Sequence, residues 1–136
     1  MNKLIPFFAA SLLSFNAMAG MVVIGNAAGV DSLSQNEVKK LFLGQKNLLT
    51  NGAKARIVEL SDGSEGRTAF HNLATGRSES QLQSAWSRLV FTGKAEAPIQ
   101  VADYAGVIAE VTSNTNAIGY VDESALTADV KVLLKL

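Results

Sequence analysis

The segment Ile57–Thr68, with sequence IVELSDGSEGRT, places a strand, a polar turn and a helix start directly after one another. Apolar and β-branched residues predict a buried strand over Ala55–Leu60. The polar, glycine-rich residues Ser61–Gly66, called the elbow below, then interrupt the apolar pattern. A helix is expected from Arg67 to about Ala74. Strands alternating with helices in this way along the chain predict an α/β layer fold.

The elbow also carries the side chains and glycines that could bind a small oxyanion. The first backbone N–H groups of a helix have no intrahelical partner, and the helix dipole places about half a positive charge there. Glycine allows a ligand to approach the backbone closely, hydroxyls can donate hydrogen bonds, and a guanidinium adds a charged fork. A carboxylate would help only by accepting a hydrogen bond from a protonated oxyanion. The candidate binding residues are Asp62, Gly63, Ser64, Gly66, Arg67 and Thr68.

A second interpretation of the elbow requires no ligand. Serine, glycine and acidic residues at a helix start are also what ordinary helix capping uses. Asp62 and Glu65 favour this interpretation, because carboxylates stabilise a helix start themselves and repel an anion. The segment is not a P-loop, since it lacks the Gly-Lys-Ser/Thr ending. Both interpretations stay open at this point.

Composition excludes several other classes of function. The chain has 136 residues, which predicts one domain, and 12 Lys and Arg balance 12 Asp and Glu, which argues against a nucleic-acid binder. The chain has no cysteine for a disulfide, a zinc knuckle or a thiol nucleophile. The single histidine, His71, is expected at a helix surface, and Glu59 with Asp62 is expected to be solvated. We therefore expect no enzyme, no metal centre and no cofactor.

The first 19 residues have the pattern of a secretory signal peptide. Met1–Lys3 is a short positive start, Leu4–Phe15 is an apolar run, and Ala17–Ala19 gives the small-x-small pattern of a cleavage site. The apolar run is shorter than the roughly 20 residues that a membrane span needs. We expect cleavage after Ala19, export to the periplasm, no membrane-spanning segment, and a single domain over residues 20–136.

The remaining elements are predicted by local start and stop signals. Ser34 with Glu37, and Ser78 with Gln81, form capping boxes that open two helices. The apolar stripe of the second of these helices (Leu82, Trp86, Leu89 and Val90) is expected in the core. A further helix is expected to be capped by Asp103. Further strands are predicted at Met21–Ile24, Ile99–Val101, Ala117–Val121 and Val130–Leu134.

The order of these segments resembles the periplasmic substrate-binding protein family, specifically its phosphate-binding branch. The matching stretches are Val22–Asn26, Leu33–Gly44, Asp62–Gly66, Trp86–Gly93 and Ala117–Val121. The resemblance implies two α/β lobes that close on an oxyanion, which is then passed to an ABC importer. Full members are more than twice as long, so this chain is expected to form a single three-layer-like lobe of a type II periplasmic binding protein, a short mixed sheet flanked by helices.

The elbow matches the family pattern Asp-Gly-Ser-Gly-Thr at Asp62, Gly63 and Ser64, and departs from it at Glu65 and Gly66. The family's arginine two residues before the aspartate is Leu60 here. A single lobe leaves an oxyanion partly hydrated, where each contact contributes little. The resemblance thus predicts binding of phosphate or a similar oxyanion, weakly or as a homo-oligomer, and an ABC permease as partner. The alternative is an accessory protein of a periplasmic envelope assembly that binds no small ligand.

Overall fold

Five strands form one mixed sheet in the order β3-β2-β4-β1-β5. The computed structural model describes residues 20–136, so the predicted signal peptide lies outside the described residues. Strand β2 pairs in parallel with β3 and β4, whereas β1 pairs antiparallel with β4 and β5. The strands are β1 (Met21–Asn26), β2 (Arg56–Leu60), β3 (Ile99–Val101), β4 (Ala117–Asp122) and β5 (Val130–Lys135).

Four helices connect the strands, and three of them begin at the predicted capping residues. The helices are α1 (Gln35–Phe42), α2 (Glu65–Ala74), α3 (Glu79–Phe91) and α4 (Tyr104–Ser113), and a 3₁₀ turn spans Glu123–Ala125. The capping boxes at Ser34 and Ser78 are both formed, which confirms these predictions. Asp103 caps α4 by accepting a hydrogen bond from the Gly106 N–H at 2.9 Å.

Neighbouring residues of the central strand β4 show how the layers are arranged. Gly119 faces α4 so closely that a Cβ atom there would lie 2.6 Å from Cγ1 of Val107. On the opposite face, the Tyr120 ring stacks on Phe70 of α2 at a centroid distance of 3.9 Å and contacts Phe42 of α1 edge-on at 5.9 Å. The sheet therefore lies between α4 on one side and α1 with α2 on the other, which confirms the predicted three-layer α/β lobe.

Helix α3 differs from the prediction, because most of its apolar stripe is not in the core. Leu82 is buried, but Trp86 and Leu89 are only half-buried, and Val90 is 43% exposed. Phe91, at the end of the helix, is 91% exposed. An apolar stripe predicts an amphipathic helix but does not show whether another layer covers it. Here α3 lies at the margin of the lobe.

Within residues 20–136, no helix combines the length and the apolar character that crossing a membrane requires.

Candidate functional site

The elbow follows the carboxyl end of β2 and is held in a fixed conformation. Gly63 has a φ of +75°, a backbone conformation that favours glycine. The Asp62 N–H donates to Oε1 of Gln100 at 3.3 Å, and Nε2 of Gln100 donates to Oδ1 of Asp62 at 2.9 Å. The Ser64 N–H donates to the Ser61 carbonyl at 3.1 Å. The two bonds to Gln100 tie the elbow to strand β3, and the third stabilises the turn itself.

The first turn of α2 begins at Glu65, two residues before the predicted start. Its first helical hydrogen bond runs from the Thr68 N–H to the Ser64 carbonyl at 3.0 Å. The N–H groups of Glu65, Gly66 and Arg67 precede this bond, and none has an acceptor among the described residues. The Ser64 hydroxyl makes no capping bond; its oxygen is buried and has no hydrogen-bond partner in residues 20–136. The turn therefore holds several unused donors.

A cavity of about 510 Å³ lies beside this first turn. Ser64, Glu65 and Gly66 line it from the turn, and Tyr104 lines it from α4. Gly66 is required here for a close approach, since a Cβ atom would lie 2.7 Å from the Tyr104 hydroxyl and 2.6 Å from Cδ1 of Leu60. The cavity, called the elbow cavity below, thus combines backbone donors, a serine and a tyrosine hydroxyl.

Carboxylates dominate the charge of the elbow cavity. Glu65, Asp103 and Asp122 line it, and no Lys or Arg of the described chain does. Burial, together with the charges of Asp122 and Glu65, raises the pKa of the Tyr104 hydroxyl. The helix start attracts an anion, whereas the carboxylates oppose one that carries more than a single negative charge. A protonated oxyanion fits better, because it can donate to a carboxylate.

Arg67 points away from this cavity into a cluster of carboxylates. Its Nε donates to Oε1 of Glu79 at 2.8 Å, and its other nitrogens lie 3.3 Å from Asp62 and 3.7 Å from Glu59. Burial of the 4% exposed side chain opposes the charge, but the three carboxylates outweigh burial and raise the Arg67 pKa. Arg67 therefore fixes the elbow from beneath, and its guanidinium is already saturated by the protein.

The remaining candidate residues are divided between these two environments. Ser64 and Gly66 line the elbow cavity, whereas Asp62 and Arg67 line a separate cavity under α3. Burial opposes ionisation of Glu79, but the hydrogen bonds from Gln83 and Arg67, with a smaller effect of the Gly63 N–H, lower its pKa. Thr68 is exposed and lines no cavity that includes the elbow.

A buried polar network under the elbow was not predicted. Glu59 is 1% exposed and His71 is fully buried, so the expectations of a solvated Glu59 and a surface His71 are wrong. Oε2 of Glu59 lies 2.8 Å from Nε2 of His71, and the Tyr120 hydroxyl donates to Oε1 of Glu59 at 2.6 Å. Nδ1 of His71 lies 2.9 Å from the Thr75 hydroxyl. One feature of the sequence could have indicated this network: Arg67, His71 and Thr75 are spaced four residues apart, so they share one helix face.

No group of three metal-ligating side chains occurs within residues 20–136.

The geometry defines a single α/β lobe with a donor-rich elbow at a strand end, and comparison with known proteins assigns this fold to one class. No protein-family model and no curated protein sequence matches the chain. Solved structures of phosphate ABC transporter substrate-binding proteins do match in fold, which confirms the predicted resemblance and the predicted fold class.

Three of these structures are a phosphate transport receptor from Vibrio cholerae, a Clostridium perfringens protein solved with bound phosphate and assigned to phosphate ABC transport, and PstS from Borrelia burgdorferi. Their TM-scores are 0.67, 0.68 and 0.60, at sequence identities of 19%, 20% and 11%. Each alignment covers 85% of this chain but only 44–46% of the neighbour. The chain thus spans less than half the length of these structures.

Proposed function

We propose that the protein is a periplasmic solute-binding module that binds phosphate or a similar small oxyanion at the elbow. The observation that carries the proposal is the buried Ser64 hydroxyl without a partner, next to three N–H groups that precede the helical hydrogen bonds. A buried polar group without a partner is unfavourable, and an anion at a helix start would satisfy several such groups together. The phosphate bound to the Clostridium perfringens protein supports this ligand class.

The candidate residues have different roles in this proposal. Ser64 and the first-turn N–H groups contact the oxyanion, and Gly66 leaves room for it. Arg67 and Asp62 hold the elbow in place through their bonds to Glu79 and Gln100, and Gly63 allows the turn through its positive φ. The Glu65 carboxylate accepts a hydrogen bond from the ligand's O–H, so the site selects a protonated oxyanion. Thr68 has no contact with the ligand in this proposal, because its N–H already donates to the Ser64 carbonyl and its side chain is exposed.

A single lobe predicts weak binding, because the open side of the site leaves the ligand hydrated. Tight binding would require a second surface that excludes water, supplied by another copy of the chain or by another protein. Transfer to an ABC permease would follow the pattern of two-lobed receptors. The second candidate function, an accessory of an envelope assembly without a small ligand, is favoured by the three carboxylates in the elbow cavity.

Calorimetric titration of the purified protein with phosphate and with sulfate tests the proposal. We expect a dissociation constant on the order of millimolar for phosphate. Sulfate has no proton to donate at neutral pH, so it should bind several-fold more weakly. Ser64→Ala should weaken phosphate binding about fivefold, the equivalent of one net hydrogen bond. Ser84→Ala, an exposed serine of α3, is the matched control and should change nothing.

Glu65→Gln distinguishes the proton-selective site from a nonspecific one. Without the carboxylate, sulfate should approach phosphate in affinity. If no heat is measured at millimolar phosphate, the oxyanion proposal is wrong and the accessory function is left. Recovery of a stable partner from envelope extracts with the tagged protein would support that function.

A further inference from the structure

A third cavity lies at the opposite end of β2 from the elbow. It has a volume of about 480 Å³ and is bounded by the end of α1, the segment after α3 and the start of β2. This volume is within the range of small-molecule sites. Arg56, the first residue of β2, lines this cavity, whereas Leu60, the last, lines the elbow cavity. A ligand here would be independent of the proposed oxyanion site.

Positive charge is concentrated at this cavity, called the basic pocket below. It is lined by one carboxylate, Glu96, and by four cations, Lys46, Lys54, Arg56 and Lys94, in a chain whose formal net charge is zero. Glu96 is shared, because its Oε1 lies 3.5 Å from the Lys54 ammonium and 4.0 Å from the Arg56 guanidinium. Lys94 has no carboxylate within ion-pair distance in the part of the chain that the structure describes. The pocket therefore has positive charge that its own carboxylate does not neutralise.

One side of the basic pocket is apolar and is held in place by packing and a hydrogen bond. Buried Leu41 and Ile57 line it together with Trp86 and Pro98. The Trp86 ring is held by a hydrogen bond from its Nε1 to the Phe42 carbonyl at 3.0 Å. Gly44, with a φ of +71°, allows this packing, since a Cβ atom there would lie 2.4 Å from Cδ1 of Leu89 and 3.1 Å from Trp86. Trp86, which the sequence placed in the core, thus forms part of a cavity wall.

We propose that the basic pocket binds a small organic anion that joins a flat apolar body to one or two acidic groups. The apolar body would pack against Trp86, and the carboxylate, sulfonate or phosphate would pair with Arg56 and Lys54 in place of Glu96. An inorganic ion would leave the apolar wall unused, and a neutral compound would leave the cations unused. Arginine adds directionality, because its fork binds two acceptor oxygens together.

Trp86 makes this proposal directly measurable, because it is the only tryptophan of the chain. The probe is 8-anilinonaphthalene-1-sulfonate, an aromatic sulfonate whose absorption overlaps tryptophan emission. We expect saturable quenching of Trp86 with one probe per chain. Arg56→Gln and Lys94→Gln should each weaken binding about two- to fivefold, the range for partly exposed ion pairs. Lys39→Gln, an exposed lysine of α1 outside the pocket, is the matched control and should leave affinity unchanged.

Two further arms complete the test. The uncharged analogue N-phenyl-1-naphthylamine should bind several-fold more weakly than the sulfonate. Raising the salt concentration should lower the affinity of the sulfonate and leave that of the uncharged analogue unchanged. Phe91→Ser probes the neighbouring cavity under α3, which Trp86 also lines, and should leave affinity unchanged. The proposal is overturned if quenching does not saturate, if the neutral probe binds equally well, or if Phe91→Ser weakens binding while Arg56→Gln does not.

Discussion

Arg67→Met is expected to lower the free energy of unfolding by about 3–5 kcal/mol, the usual effect of removing one partner of a buried ion pair. The guanidinium lies among Glu59, Asp62 and Glu79, and Glu59 is itself almost fully buried. Without the cation, the almost fully buried Glu59 carboxylate loses an ion-pair partner in a poorly solvated environment, which is unfavourable. Methionine preserves much of the side-chain volume, so the loss reports on charge rather than on a cavity.

Urea denaturation measures this effect, and Arg88→Met is the control. Arg88 also lies on a helix but is exposed, so its replacement should change the free energy of unfolding by no more than about 0.5 kcal/mol. The slope of the free energy against urea should be the same in all three proteins, so that midpoints can be compared. Equal midpoints for the two variants would show that the carboxylate cluster does not depend on Arg67.

Tyr120→Phe is expected to lower stability at neutral pH by about 1–3 kcal/mol, because it leaves buried hydrogen-bonding groups unpaired. The Tyr120 hydroxyl donates to Glu59 and accepts from the Leu60 N–H at 3.1 Å. Burial, the Glu59 charge and the hydrogen bond to Glu59 together raise the pKa of Tyr120 far above its ordinary value. Loss of this hydroxyl therefore also changes how stability depends on pH.

The sign of this pH dependence follows from where the proton is held. An unfolded tyrosine loses its proton near pH 10, whereas native Tyr120 retains it, so the native state binds more protons above pH 10. The contribution of Tyr120 to the free energy of unfolding is fully present below pH 10. It falls by about 1.4 kcal/mol for each pH unit above that. Tyr120→Phe should therefore reduce the slope of the free energy of unfolding against pH, above pH 10, by that amount.

Tyr104→Phe is the comparison, since Tyr104 is the only other tyrosine. Its pKa is raised by burial and by Asp122 and Glu65, but the residue is only half-buried, so its effect on the alkaline slope should be smaller. Identical alkaline slopes for the original protein and Tyr120→Phe would contradict the assignment of a tightly held proton to Tyr120.

Features encoded in local sequence could be predicted. Ser34 and Ser78 form their capping boxes because each box is a contact between residues three apart, which sequence spacing shows directly. The strands β2 and β4 follow from their apolar runs, and the elbow follows from its glycines and polar residues. The order of these segments was enough to indicate the fold of a phosphate-receptor lobe, which the structural neighbours bear out.

Features that depend on packing between distant segments could not be predicted. Glu59 and His71 are buried because β2 and α2 face each other, and sequence spacing does not show that contact. Arg67 is bound by Glu79, twelve residues further along the chain, so a residue chosen as an anion ligand became an internal support. The open face of α3 was missed because a periodic apolar stripe does not reveal what covers it.

Amide chemical shifts measured during a phosphate titration test the central claim most directly. If the first turn of α2 binds the oxyanion, the N–H signals of Glu65, Gly66 and Arg67 should move together along one saturating curve, and Ser64→Ala should shift that curve to higher phosphate. The claim is contradicted if these three signals stay still while those of Lys54 and Lys94 move, because the anion would then bind the basic pocket instead of the elbow.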